Sequence, residues 1–294
     1  MALLFALVID PVASEDRRES YSDTFTAVDP GGPVLPLGEL SAQRGDGVFE
    51  SIGVVDGHAQ EVGPHLERLA HSAQLVDLPV PNAGQWREAI ARVAAEAGAG
   101  ESVIKLILSR GLDEGSSPTS WITLATAPDN ALARTEGVRV VTLERGYQLD
   151  VPGRAPWLLL GAKTLSYAVN MAAIREAKRR GADDAVFVTS DGYVLEAPTA
   201  SVILRVGDRF VTPEPNAGIL HGTTQLSLFA HLGGRGFSTA YEAVLLSDLK
   251  NADAAWLLSS VRLAAPISAV DGAAKRVDRA LTDELNAYLL SPRD

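Results

Sequence analysis

The sequence predicts an α+β protein of two domains. Three observations carry this: a length of 294 residues, strand-like and helix-like segments that cluster without regular alternation, and a polar break near the middle. Residues 1–9 are apolar, lack a basic leader and stop at Asp10-Pro11, so they read as a first strand and not as a membrane span. Residues 10–39 mix acids, Gly and Pro with little periodicity and predict an irregular surface excursion without chemistry. Residues 48–55 read as a strand closed by Asp56-Gly57, and Gly63-Pro64 opens a helix with Leu66, Leu69, Ala70 and Ala73 on one face. A helix over residues 86–97 and strands over 103–108 and 121–127 complete the first half.

Apolar alternation resumes only at Val138 after a polar run from Pro128. The expected organisation is a smaller N-terminal domain over residues 1–130, a linker over 131–137 and a larger C-terminal domain over 138–294. The latter offers a strand over 138–143, a helix over 166–180 closed by Gly181, and hairpins turning at Asp191-Gly192 and Gly207-Asp208. A helix over 223–232, strands over 237–242 and 254–259, and a C-terminal helix follow. No internal repeat is evident.

Twenty-six Lys and Arg against 37 Asp and Glu leave a formal charge of -11, which repels nucleic acid and anionic membranes. The absence of cysteine excludes disulfides, thiolate nucleophiles and sulfur-ligated metals, and suits a reducing cytoplasm. His58, His65 and His71 are spaced by seven and six, which stacks no two imidazoles on one helical face, so no metal is expected. Gly233-Gly234-Arg235-Gly236 precedes a strand instead of following one, unlike a dinucleotide loop.

Three windows hold more chemistry. Lys163 is the one charged residue from 157 to 173, where a strand is expected to give way to a helix; a desolvated amine attacks carbonyls, whereas the bland reading is a lysine that snorkels to solvent. Glu196 ends the Asp191-Gly192-Tyr193-Val194-Leu195-Glu196 hairpin, either to hold a proton or cation or as a solvated strand end. Gly218-Ile219-Leu220-His221-Gly222-Thr223-Thr224 enters a helix whose free amides form an anion seat, with a plain threonine cap as the alternative. An amine for an aldehyde, a carboxylate for a ring nitrogen and a helix terminus for a phosphate are together the handles of pyridoxal 5'-phosphate.

Arg44-Gly45-Asp46-Gly47-Val48-Phe49-Glu50-Ser51, His65-Leu66-Glu67-Arg68-Leu69, Lys163-Thr164-Leu165-Ser166-Tyr167, Glu196-Ala197-Pro198 and Gly218-Ile219 through Thr223-Thr224-Gln225 resemble the ordered motifs of fold-type IV pyridoxal-phosphate enzymes. These comprise branched-chain and D-amino acid aminotransferases and 4-amino-4-deoxychorismate lyases. The resemblance covers about residues 40–270 and implies a two-domain fold with the Schiff-base lysine in the larger domain. It implies that Lys163 is catalytic, that Glu196 faces the cofactor nitrogen, and that Arg68, Thr223 and Thr224 seat its phosphate, with Tyr167 facing the ring. Arg110, Phe49, Ser259 and Ser260 match substrate-lining positions.

Ser201, His221 and Gln225 depart from the family's usual residues, and Phe49 stands where D-amino acid aminotransferases resemble one another in having Tyr. The Lys163 and Glu196 segments look most like aminodeoxychorismate lyase, which implies release of pyruvate and 4-aminobenzoate for folate synthesis. The alternatives are an aminotransferase for branched-chain or D-amino acids and a catalytically silent cofactor binder. The resemblance also implies a cytoplasmic homodimer acting on a small amino substrate, with its pocket between domains near the subunit contact, and without metal, nucleic acid or membrane.

Overall fold

Apolar residues at every second position build the first sheet. Along β3 (Gly47–Val55) Val48, Ile52 and Val54 are buried on one face, as are Ile104, Leu106 and Leu108 along β5 (Glu101–Ser109). The computed structural model describes residues 2–113, 115, 117–215 and 218–294. Its contacts divide the chain into two units. The first unit takes the chain up to Pro128 with Ala162–Tyr167 and Ser291–Asp294; the second takes Asp129–Gly161 and Ala168–Leu290.

The first unit's other strands are β1 (Leu3–Ile9), β2 (Phe25–Val28), β4 (His58–Ala59) and β6 (Thr119–Thr126), in the antiparallel order β2-β1-β6-β5-β3-β4. Met1, part of the expected first strand, lies outside the described residues. A short α1 (Leu40–Arg44) precedes β3, and α2 (Val62–Leu75) and α3 (Ala83–Ala94) cover one sheet face with Leu66, Leu69, Ala73, Trp86, Ile90 and Val93.

Residues 10–39 are mostly irregular and exposed, as expected, with three exceptions. There β2 pairs with β1, Tyr21 and Phe25 join the core, and Glu39 is a fully buried carboxylate. Burial opposes its ionisation, but Ser109, Thr119 and Ser41 donate to it and hold its pKa below the usual carboxylate value. Long-range pairing supplies this order, so local periodicity does not display it.

Residues 162–167 add an edge to this sheet. Phe49 N donates to Lys163 O at 3.0 Å, Leu165 N donates to Gly47 O at 2.8 Å, and Val48 bridges Thr164. Lys163 therefore groups with the first unit by contacts, whereas the linear reading carried it with the second half. Gly47 is required here: a Cβ would fall 2.7 Å from Leu108 O and 2.8 Å from a Leu165 methyl.

In the second unit, α4 (Ala131–Thr135) occupies the span read as a linker, and Arg134 Nε donates to Arg262 O at 3.0 Å. Strands β7 (Val138–Glu144) and β8 (Asp184–Val188) flank α5 (Val151–Arg154) and α6 (Ala168–Arg179) in the chain. There follow β9 (Ser201–Val206), β10 (Arg209–Pro213), α7 (Thr223–Gly234), β11 (Ser238–Glu242), α8 (Leu246–Asn251), β12 (Ala254–Ser259), β13 (Leu263–Val270), β14 (Ala273–Ala274) and α9 (Arg279–Leu290). The mixed sheet runs β11-β10-β9-β12-β13-β7-β8, with β14 on β13.

Strand β13 is absent from the sequence reading because Pro266 and three alanines disguise it. Pairing with β12 and β7 overrides that weak local propensity. The expected Asp191-Gly192 hairpin is a looser return in which Val188 bridges Val194 and Phe187 N donates to Glu196 O at 2.9 Å. Among the described residues no helix is long and apolar enough to cross a membrane, and no acid or histidine cluster has metal-site geometry.

Candidate active site

Edge pairing fixes Lys163 from its backbone outward. Its carbonyl accepts from Phe49, and its N–H donates to Ser72 Oγ at 3.1 Å. The half-buried side chain brings Nζ within 4.4 Å of the Phe49 ring centroid and 5.9 Å of the Tyr167 centroid. Those two rings meet edge to face at 5.3 Å. Lys163, Phe49 and Tyr167 are thus brought together, with an amine over aromatic faces.

The next residue along β3, Glu50, points to the opposite, helix-covered face. There α2 presents His65 and Arg68, three residues apart on one side. Arg68 Nε and Nη2 each donate to a Glu50 oxygen at 2.7 Å, and His65 Nδ1 lies 2.8 Å from Glu50 Oε2. Glu50 and His65 are fully buried. Burial alone would raise the Glu50 pKa, but Arg68 and His65 overcome it and hold the carboxyl well below its ordinary range. Burial lowers the His65 pKa despite Glu50, and because a carboxylate only accepts, it is His65 Nδ1 that carries the shared hydrogen.

Sequence reasoning quoted Glu50 and His65 without giving them roles. The available signal was a carboxylate in register with Val48, Ile52 and Val54, which demands a cationic partner. Arg110 is anchored elsewhere, with Nε donating to Asp46 Oδ2 at 2.8 Å and Nη2 to Val76 O at 2.6 Å.

In the second unit, Leu220 N donates to Glu196 Oε2 at 3.2 Å. Burial pushes the Tyr147 phenol up, Arg145 opposes this and the Glu196 charge adds to it; Tyr147 is a neighbour the sequence reading missed. Helix α7 begins at Thr223 after Gly222, with buried Thr223 and Thr224. Their Oγ1 atoms lie 3.4 and 3.2 Å from Ser260 Oγ, so three hydroxyls gather at the N-terminus of α7. Ser259 Oγ instead accepts from Arg262 N at 3.2 Å.

The departures from the usual residues are packed together. Gln225 Nε2 donates to Tyr241 OH at 3.0 Å, and His221 meets the Tyr241 ring edge to face at 5.5 Å. Ser201 Oγ occupies the space a Cβ on Gly222 would need. The donor chemistry suits pyridoxal phosphate: hydroxyls and helix amides for the phosphate, a carboxylate for the ring nitrogen and a primary amine for the aldehyde.

Those groups on a two-sheet α+β scaffold are of the kinds a pyridoxal-phosphate enzyme uses. The amino-transferase class IV family model matches residues 47–270, and the chain belongs to that family. It is 43% identical over 273 residues to the bifunctional aminodeoxychorismate lyase / D-amino acid transaminase of Mycobacterium tuberculosis, covering 89% of this chain and 93% of the relative. The fold IV-transaminase CpuTA1 of Curtobacterium pusillum superposes with a TM-score of 0.92 at 47% identity, covering 98% and 99% of the two chains. A hypothetical aminotransferase from M. tuberculosis in a PLP-bound form gives a TM-score of 0.89 at 38% identity, covering 97% and 98%.

Proposed function

We propose that this protein is a 4-amino-4-deoxychorismate lyase that releases pyruvate and 4-aminobenzoate. The observation that carries this reading is the 43% identity, across 89% of the chain, to a relative bearing the lyase name. That relative's second name favours a second activity, transfer of the amino group of D-amino acids, and the likeness to the transaminase CpuTA1 favours amino transfer in general. Phe49 argued against this at the level of sequence, but the bifunctional name keeps it in view.

Pyridoxal phosphate, when bound, supplies an electron sink for the pair left at the substrate carbon. In this reading the Lys163 amine holds the cofactor aldehyde and later takes the proton from the ring carbon bearing nitrogen. It returns a proton to the enolpyruvyl group, whose ether bond breaks to give pyruvate as the ring becomes aromatic. Glu196 keeps the cofactor nitrogen protonated. Thr223, Thr224, Ser260 and the α7 amides seat the phosphate, with Arg68 held beside Glu50 to assist. Phe49 and Tyr167 wall the reacting amine, while Ser259 lines the substrate side and Arg110, held by Asp46 and the Val76 carbonyl, reaches a substrate carboxylate only by exchanging those contacts. A cytoplasmic homodimer completes the reading, its assembly measurable by light scattering.

The test supplies holoenzyme with aminodeoxychorismate. Equimolar pyruvate and 4-aminobenzoate are expected, and Lys163→Ala lowers turnover by about 10²–10⁴-fold, the usual worth of a positioned acid–base group. Amino transfer from D-amino acids without aromatic product supports the second activity alone. Protein from which borohydride traps no cofactor on Lys163 sinks both.

A further inference from the structure

Five residues are too few to hold a helix by propensity, so α4 depends on what it touches. Just past its end Gly137 takes φ +85°, and a Cβ there would fall 2.6 Å from Pro266 O, so glycine lets the chain lie this close to β13. At its start Asn130 holds the N-cap position, but its side chain makes no cap bond, and Nδ2 donates to Val261 O at 3.3 Å. Arg134 follows one turn later. Its guanidinium donates from Nε to Arg262 O at 3.0 Å and from Nη2 to Val261 O at 3.1 Å.

Those two carbonyls belong to the turn Ser260-Val261-Arg262 between β12 and β13, whose last ladder pair is Ser259 with Leu263. The turn is tied on other sides as well: Ser259 Oγ accepts from Arg262 N, and Arg262 Nη1 donates to the buried Asp184 at 2.8 Å. Leu263 nevertheless takes φ +63°, a left-handed conformation that costs a leucine and persists only where its surroundings hold it. The hydroxyl of this turn is Ser260 Oγ, which meets Thr223 and Thr224. An arginine fork on two successive carbonyls fixes the peptide planes of the turn, and with them the place of that hydroxyl.

We infer that Arg134, assisted by Asn130, is a positioning residue for the phosphate seat: it holds the β12–β13 turn so that Ser260 Oγ meets a phosphate oxygen together with Thr223 and Thr224. This rests on the reading that those three hydroxyls seat the cofactor phosphate. With Nε and Nη2 spent on backbone carbonyls, Arg134 acts through Ser260 and not as a further phosphate ligand. The segment that reads as a linker thereby sets how tightly the second unit holds its anion.

The test strips the cofactor from wild-type, Arg134→Met, Arg134→Lys and Ser260→Ala holoenzymes and from the Arg134→Met, Ser260→Ala double variant. Each is titrated by absorbance with pyridoxal 5'-phosphate and with pyridoxal, which lacks the phosphate. Arg134→Met is expected to weaken pyridoxal 5'-phosphate about tenfold, the scale of one lost hydrogen bond, and to leave pyridoxal within about twofold. Arg134→Lys, which can still reach one carbonyl, restores part of the loss. Once Ser260 is alanine, Arg134→Met costs nothing further, because its effect runs through that hydroxyl. Additive losses in the double variant overturn the proposal, as does equal weakening of pyridoxal 5'-phosphate and pyridoxal, the mark of a general loss of structure. Unchanged affinity in Arg134→Met beside weakened binding in Ser260→Ala overturns the proposal and leaves the seat standing. Unchanged affinity in Thr223→Val, Thr224→Val and Ser260→Ala alike sinks the seat and the proposal together.

Discussion

The first unit holds Glu50, His65 and Arg68 as a buried trio built on one ion pair, whereas the second gathers Thr223, Thr224 and Ser260 at a helix end with no formal charge among them. The trio's Glu50–Arg68 ion pair is self-neutralising, and His65 adds a further hydrogen bond to the buried carboxylate. The hydroxyl group needs no such neutralisation, so a phosphate can bring the charge and the helix amides can answer it. In the proposed reading one region fixes geometry and the other receives the phosphate.

Breaking the trio has the largest expected effect. Glu50→Gln leaves Arg68 without its counter-charge in an apolar setting and should cost about 3–5 kcal/mol of stability, read by denaturant unfolding. A loss under 1 kcal/mol would mean that the trio is not the rigid element.

Acid should act on the same region next. His65 has a folded-state pKa below its unfolded value near 6.5, so the unfolded chain binds the extra proton as pH falls through about 6.5. Glu50 is likewise depressed and adds to the loss below about 4.5, its unfolded value. Both contributions are present at neutral pH and fade toward acid, each by at most about 1.4 kcal/mol per pH unit. Unfolding free energy measured from pH 7 to 5 should therefore fall in wild type and fall less steeply in His65→Gln. Equal slopes would remove His65 from this account.

The smallest effect belongs to the hydroxyl region. Thr223→Val and Thr224→Val should each weaken pyridoxal phosphate retention by about 0.5–1.5 kcal/mol, the net worth of one hydrogen bond, with little change in the stability of cofactor-free protein. Equilibrium dialysis and thermal melts separate the two quantities. A large melting shift without any change in retention would reverse the contrast between the regions.

Legibility followed the range of the interactions. The α2 stripe of Leu66, Leu69 and Ala73, the alternation of β3 and the turn glycines were readable because a few neighbouring residues define them. The windows around Lys163, Glu196 and Thr223 were readable as types of chemistry, and ordered motifs joined them to one family. Strands β2 and β13 and the capping carboxylate Glu39 were hidden, since their partners lie far along the chain.

Composition and pattern by themselves predicted a mixed α+β protein, and the order of its motifs, through their resemblance to one family, pointed to an amine, a carboxylate and a helix terminus for pyridoxal phosphate. Folding alone decided that Lys163 sits against β3 over Phe49, that Glu50 neutralises Arg68, and that Arg134 reaches the Val261 and Arg262 carbonyls. The reason is physical: periodicity records which face a side chain takes, while its partner on that face is chosen by strand register and helix packing across many tens of residues.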